Sequence, residues 1–238
     1  ISFVAETRGV KVSASGTINL PEDRTVLTCR ASVPDVRSLS IFHPAFKDCR
    51  GQMDLRAELK GKIKNPSVEA EIHLAGAGWK EMRLGWLGVT LKREGAKEKT
   101  LITALARNLK MPDPLRLTFE EIRIHLAGQG SLLEVTRFSG KTKDGQVNLK
   151  GKSRLPNLDY ELSANSLSLE SKDQWSLTSD TTLRILGTLS APELKGDLRI
   201  VKALYKPRAG KNAPKKKAPP SSALWRESAM DIRIFWER

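Results

Sequence analysis

A pattern that occurs twice, 126 residues apart, constrains the fold of this chain more than any other feature. Residues 59–74 align with residues 185–200 without a gap. In both copies an apolar residue stands two positions before a glycine, and a proline follows five positions after the glycine. After the proline, every second residue of each copy is small or apolar. Repetition of this kind is typical of modular arrays rather than of a single catalytic pocket.

Both copies also show the alternation of a half-buried β-strand. Apolar and charged residues alternate strictly over residues 55–60, and the same period runs from Val68 to Leu74 after the turn at Asn65-Pro66. The second copy repeats the arrangement around Ala191-Pro192. Each copy is therefore predicted to form two antiparallel strands joined by a proline-containing turn.

A weaker module with the same glycine-to-proline spacing precedes each strand pair, at residues 12–21 and 147–156. The chain is thus predicted to contain two tandem units of the form A-B. The predicted divisions are a first β-repeat unit (1–110), a second β-repeat unit (111–205), a basic proline-rich linker (206–222) and the start of a further strand unit (223–238).

One short helix is predicted over residues 101–109. Leu101, Leu105 and Leu109 recur at four-residue spacing, and the sequence Met-Pro-Asp-Pro at 111–114 would end a helix there.

Strands with one apolar and one charged face pose a packing problem, because an apolar sheet face must be covered. The sheet can fold on itself as a sandwich or closed barrel. It can also curl into an open trough whose lining is covered by a ligand or a partner chain. Scarce aromatics (5%) and small inward residues such as Ala57, Ala70 and Gly196 favour the trough. The predicted fold is all-β, an elongated, curled, mostly antiparallel sheet with an apolar concave face, and a β-sandwich is the alternative.

The strand pairs at 59–74 and 185–200 resemble the C-terminal repeat region of the TamB family, the translocation and assembly module inner-membrane components of the AsmA-like superfamily. Residues 145–151 resemble the strand module that precedes these repeats, and the resemblance spans about 1–205. These proteins are bacterial relatives of the bridge-like lipid transfer proteins.

The resemblance implies a curled sheet called a β-taco, with an apolar groove inside and a polar surface outside. It implies a periplasmic segment of a protein that is anchored to the inner membrane by a helix outside this sequence. Phospholipid would pass along the groove between the inner and outer membranes, and the C-terminal end would meet an outer-membrane barrel partner of the assembly-factor type. A role in outer-membrane protein or autotransporter assembly through β-strand interaction is the alternative.

This function needs no catalytic residue. Acyl chains would lie along the apolar lining while headgroups stay at the open, wet mouth. The inward alternating residues are the candidates for this lining, and ordinary core packing is the other interpretation of them. The candidates are Leu55, Leu59, Ile63, Val68, Ile72, Leu74, Leu183, Ile185, Leu189, Leu194, Leu198 and Ile200.

Other site types find little support in the sequence. His43, His73 and His125 do not share metal-ligand spacing, and His73 and His125 stand at positions predicted to face outward. Glu120-Glu121 are neighbours on a predicted strand and would face opposite sides, which disfavours a paired acid/base site. No nucleophile-elbow, P-loop or dinucleotide-binding motif occurs. The chain is predicted not to be an enzyme and to use no cofactor and no metal.

Two cysteines leave two interpretations open. Cys29 and Cys49 would close a disulfide loop in an oxidising compartment, with a stabilisation of roughly 3 kcal/mol. They would otherwise be two unrelated, reduced thiols.

The formal net charge of +14 favours anionic partners. Six basic residues lie within 206–217, which makes this stretch a candidate contact for an anionic membrane surface, with nucleic acid the less favoured partner. The longest apolar runs are too short to span a bilayer.

Overall fold

The computed structural model describes residues 1–7, 9–41, 43–95, 99–112, 116–171, 175–205 and 229–236. These residues form one fourteen-stranded sheet in which the strand order follows the sequence from first to last.

The first seven strands are β1 (Ser2–Thr7), β2 (Val10–Asn19), β3 (Arg24–Val33), β4 (Cys49–Lys62), β5 (Asn65–Trp79), β6 (Met82–Glu94) and β7 (Lys99–Lys110). The other seven are β8 (Thr118–Gln129), β9 (Leu132–Thr142), β10 (Gln146–Arg154), β11 (Asn157–Ser171), β12 (Trp175–Gly187), β13 (Pro192–Tyr205) and β14 (Ala229–Trp236). Two short 3₁₀ helices, Val36–Ile41 and Pro44–Asp48, connect β3 to β4.

Each strand pairs antiparallel with the next, except that β14 runs parallel to β13. The first and last strands do not pair with each other, so the sheet is open rather than closed into a barrel. The described residues contain no second sheet that would make a sandwich. The predicted all-β, curled and mostly antiparallel fold is confirmed.

The predicted hairpins are also confirmed. Lys62 pairs with Asn65 to close β4 and β5, and Gly187 pairs with Pro192 to close β12 and β13. Because successive strands reverse direction, the proline turns lie along one long side of the sheet, the proline rim (20–23, 63–64, 155–156 and 188–191). The opposite side, the loop rim, carries the connections 34–48, 80–81 and 111–117.

Three glycines lie where neighbouring backbones approach closely. Gly16, Gly151 and Gly196 have φ values of +155°, +148° and +151°. A Cβ atom at these positions would lie 2.0, 2.3 and 2.0 Å from a carbonyl oxygen of the paired strand. Glycines of this kind let a sheet kink and coil. Gly16 and Gly151, which stand at matching positions of the two weaker modules, therefore serve the curvature of the sheet, and so does Gly196.

The apolar face is concave. Val33 and Ala164 are each only 1% exposed, and Ile122 and Val147 are also buried. The 3₁₀ helix Val36–Ile41 contacts β4, and Leu117 from the connection before β8 joins the buried cluster. No second sheet of described residues covers the rest of this face, so the sheet itself curls over it. The most compact part is the central cluster, in which Leu117, Phe119, Ile122, Val147 and Ala164 pack together along β8 to β11.

The helix predicted over 101–109 is wrong, because these residues belong to β7. A spacing of four is a multiple of two as well as close to one helical turn, so leucines at 101, 105 and 109 do not distinguish the two structures. Pairing with β6 and β8 decides the outcome, and it places Ile102 and Ala104 on the apolar face.

The disulfide interpretation is also wrong, since both cysteines are free thiols. Cys29 pairs with Ala57, and Cys49 lies eight residues away from Ala57 along β4. Eight strand residues span about 26 Å, whereas bridged cysteines have Cα atoms within about 7 Å.

We expect the unreduced, denatured protein to react with two equivalents of a thiol reagent per chain. A titration that finds fewer than two reactive thiols in the freshly purified monomer would contradict the register of β3 on β4.

The division into units stays a prediction. The boundary at 110/111 falls between β7 and β8, which are paired neighbours in the one sheet. The predicted linker at 206–222 lies outside the described residues. A strand was predicted to begin near the C-terminus, and residues 229–236 form β14. None of the helices within the described ranges has the length and apolar character to cross a membrane.

Candidate functional site: the apolar groove

The register of the sheet produces an unbroken apolar row across all fourteen strands. Residues that pair directly from strand to strand share one face, so the row follows from the hydrogen-bond ladder alone. It consists of Ala5, Val12, Ala31, Leu55, Ile72, Val89, Ala104, Ile124, Phe138, Leu149, Leu162, Leu183, Gly196 and Ile232. Thirteen strand spacings make this row about 60 Å long, measured along the sheet.

A second row lies two residues away on the same face. Its members are Phe3, Ala14, Cys29, Ala57, Ala70, Leu91, Ile102, Leu126, Val135, Gly151, Tyr160, Ile185, Leu194 and Met230. The phenolic hydroxyl of Tyr160 donates to Ser153 Oγ at 3.0 Å and so has a partner within the protein. We call the face that carries the two rows the apolar groove.

The structure places most of the sequence-predicted lining residues on this face. Leu55, Ile72 and Leu183 belong to the first row and Ile185 and Leu194 to the second. The residues of adjacent rows on the same face are Leu59, Val68, Leu74, Leu198 and Ile200.

Two predicted residues do not lie on the strands. Ile63 is half-buried in the turn between β4 and β5, and Leu189 is exposed in the turn between β12 and β13. Both stand at the proline rim, because the alternation in each repeat breaks at the turn itself. Their positions are at the border of the groove rather than in its lining.

The central part of the groove was missed by sequence reasoning. Val89, Ile102, Ile124, Phe138 and Leu149 lie on the two rows but outside the doubled pattern. The signal that would have found them is the period-two alternation of segments 87–91 and 122–126, which stands in the sequence without the glycine and proline marks of the repeat.

Burial differs along the groove. The central cluster at β8 to β11 is largely shielded from solvent, whereas Phe3 at one end is 55% exposed and Ile234 at the other is 64% exposed. Trp236, on β14, is also exposed. Apolar surface that faces solvent at both ends of a sheet is typical of a binding surface.

The opposite face is charged and carries ion pairs, some between neighbouring strands and some along a single strand. Lys92 Nζ lies 2.5 Å from Glu69 Oε1, and Lys150 Nζ lies 3.0 Å from Glu161 Oε2. Arg56 and Lys60 both bind the carboxylate of Glu58, at 2.9 and 2.6 Å. Exposed pairs of this kind add little stability individually, but they fix which face meets water.

Two of these groups have shifted pKa values. The hydrogen bond from Lys60, followed by that from Arg56, lowers the pKa of Glu58 below its ordinary value of 4.5. The hydrogen bond to Glu69 raises the pKa of Lys92 above its ordinary value.

We expect Glu58→Gln to lower the melting temperature slightly at neutral pH. Because the folded pKa of Glu58 is depressed, its contribution is present above the unfolded pKa and is lost as the pH falls through the folded one. Melting curves of the two proteins should therefore converge in acid below pH 4.5, the ordinary value. A difference that grows on acidification would contradict this assignment.

The outward histidine positions are confirmed. His73 and His125 are both exposed on the charged face, and the ring of His73 meets Trp86 edge-on at 5.8 Å between centroids. Glu120 and Glu121 each bind cations, Lys141 at 3.4 Å and Arg123 at 2.7 Å. Across the described parts of the chain, no three His, Cys, Asp or Glu residues stand close enough to hold a metal ion.

No family model, no curated protein and no solved structure matches this chain. The resemblance to the TamB family therefore rests on the residues of the repeats alone. Chemically, the groove offers a continuous apolar surface that can cover an extended hydrocarbon chain.

Proposed function

We propose that this chain is a segment of a bridge-like lipid transfer protein whose apolar groove conducts phospholipid acyl chains. The observation that supports the proposal is the continuity of the two rows, which pass through every strand without a charged side chain. A binding pocket for a compact ligand would need only a few of these strands.

The energetics of a uniform lining suit conduction. Each buried methylene contributes about 0.8 kcal/mol, so a lipid with both chains covered is held firmly against loss to water. Moving along the groove exchanges one set of Leu, Ile, Val and Ala contacts for another of the same kind. No position on the two rows offers a charge that would trap the chain.

In this proposal the protein is not an enzyme and lies in the periplasm, anchored to the inner membrane by a helix outside this sequence. Its cargo is phospholipid moving between the inner and outer membranes, and an outer-membrane barrel protein receives it. These parts of the proposal come from the TamB resemblance, and the open, additive sheet is compatible with them.

The proposal can be tested with a photoreactive residue placed at one of two adjacent positions of β6, one on the groove face and one on the charged face. Val89 lies on the first row of the groove, and its neighbour Thr90 pairs with Glu71 on the charged face. Both are half-buried in β6. With radiolabelled phospholipid, a benzophenone side chain at 89 should cross-link to lipid after irradiation, and the same group at 90 should not. Equal labelling at both positions would contradict an occupied groove.

The open edges of the sheet favour a second candidate function, assembly of outer-membrane proteins by strand addition. Among the described strands, β1 and β14 each have one paired neighbour, so each presents a row of backbone groups that no described strand pairs with. Ile234→Pro would remove a backbone donor from β14. We expect this change to reduce binding of an extended amphipathic peptide if strand addition operates there, and unchanged binding would exclude β14 as the edge used.

A further inference from the structure

Cations line up across four strands at the loop rim. Arg50 on β4 pairs with Gly78 on β5, Gly78 pairs with Arg83 on β6, and Arg83 pairs with Lys110 on β7. Direct pairing places the three cations on the same, outward face. Lys80 stands in the adjoining turn, and all four side chains are exposed. We call Arg50, Lys80, Arg83 and Lys110 the rim cations.

The rim cations differ in their partners from several other cations of the charged face. Elsewhere, Lys150, Arg184 and Lys195 each bind a carboxylate at 3.0 to 3.2 Å. Among the described residues, no carboxylate lies within ion-pair distance of any rim cation. They surround a depression of about 610 Å³, in which Glu81 is the one acidic residue. The positive charge here is left available to an external anion.

An exposed aromatic residue stands beside this charge. Trp79 is 49% exposed, and Lys80 Nζ lies 5.2 Å from the centre of its ring. Trp79 pairs with Met82 across the β5–β6 turn, so an apolar surface adjoins the cations at the same rim. Tryptophan beside lysine and arginine is the combination that proteins use at the headgroup level of a bilayer.

We propose that the rim cations and Trp79 form a docking surface for the phosphate headgroups of an anionic phospholipid membrane. The cations attract the phosphates, and Trp79 inserts at the headgroup boundary. This contact is separate from the basic stretch at 206–217 and does not require that the groove carry lipid.

The extent of the row favours a lipid surface over nucleic acid. Lys110 pairs onward with the uncharged Thr118, and Arg50 lies before the first residue of β4 that pairs with β3. The row therefore covers four strands, or about 14 Å. Stable binding to a nucleic-acid backbone uses roughly six to ten phosphate contacts along a longer track, whereas a lipid surface presents phosphates to a compact patch.

The test compares two triple variants of the whole chain by co-sedimentation with vesicles. One replaces the row cations (Arg50→Ser, Arg83→Ser, Lys110→Ser) and the matched control replaces three ion-paired cations (Lys150→Ser, Arg184→Ser, Lys195→Ser). Both remove the same charge and keep residues 206–217. Since each cation at an anionic surface contributes roughly fivefold in affinity, we expect the first variant to bind phosphatidylglycerol-containing vesicles at least about tenfold more weakly than the control. Vesicles of phosphatidylcholine alone should bind neither protein well.

A second readout locates the contact. Brominated acyl chains should quench the fluorescence of the wild-type protein, and Trp79→Phe should remove part of that quenching while Trp175→Phe should not. Equal vesicle binding by the two triple variants would overturn the proposal. So would binding of a single-stranded oligonucleotide that is tighter than vesicle binding and is lost in the row variant.

Discussion

Leu183→Asp is expected to remove most of the phospholipid that the folded chain binds, whereas Thr182→Asp leaves it unchanged. The two residues are neighbours on β12. Leu183 lies on the first row of the groove between Leu162 and Gly196, and Thr182 is exposed on the charged face. A carboxylate on the row interrupts the apolar track, and covering it with an acyl chain would bury an unpaired charge at a cost of several kcal/mol.

Bound lipid is measured after organic extraction, with circular dichroism and gel filtration as checks that each variant is folded. A second pair of variants guards against unfolding by an inward charge. Ile234 and Phe235 are neighbours on β14, 64% and 50% exposed, and Ile234 lies on the groove side next to Leu198. Ile234→Asp should lower lipid binding and Phe235→Asp should not. Equal lipid content across both pairs would contradict the groove as the site.

Gly151→Ala is expected to be strongly destabilising, although it adds only one methyl group. Gly151 has φ +148°, and an added Cβ would lie 2.3 Å from the Asp159 carbonyl oxygen and 2.6 Å from Tyr160 Cα. These are backbone atoms of the paired strand, so the clash can be relieved only by parting β10 from β11. We expect a loss of about 3 kcal/mol in the free energy of unfolding, or a fall of roughly 6–12 °C in melting temperature.

Gly128→Ala is the matched control for this prediction. Gly128 also lies within a strand, but its backbone is not in the left-handed region and an added Cβ would meet nothing nearer than the Leu132 carbonyl oxygen at 3.8 Å. The melting temperature of the Gly128→Ala variant should stay within a few degrees of that of the wild-type protein. If both substitutions have the same effect, Gly151 is not a packing requirement of the curled sheet.

The strands and their turns could be predicted because the sequence carries local signals for them. Alternation over 55–60 and 68–74 and the prolines at 66 and 192 are read from neighbouring residues alone, and β4, β5, β12 and β13 form as expected. The sequence favoured an open trough over a β-sandwich because inward residues such as Ala57 and Gly196 are small. Small residues leave a single sheet free to coil.

The features that could not be predicted depend on pairing between distant segments. Residues 101–109 form a strand because β6 and β8 lie on either side, and nothing within the segment decides this. Cys29 and Cys49 are separated by the register of β3 on β4, which sequence spacing does not reveal. The cation row at the loop rim is likewise invisible along the chain, since Arg50, Arg83 and Lys110 are brought together only by the ladder.

The central claim is that the apolar groove carries phospholipid, and mass spectrometry of organic extracts from the purified, folded chain tests it most directly. We predict that diacyl phospholipid co-purifies with the wild-type protein after gel filtration and washing, and that its amount falls in the Leu183→Asp variant but not in Thr182→Asp. An extract of the folded wild-type protein that contains no phospholipid would contradict the claim.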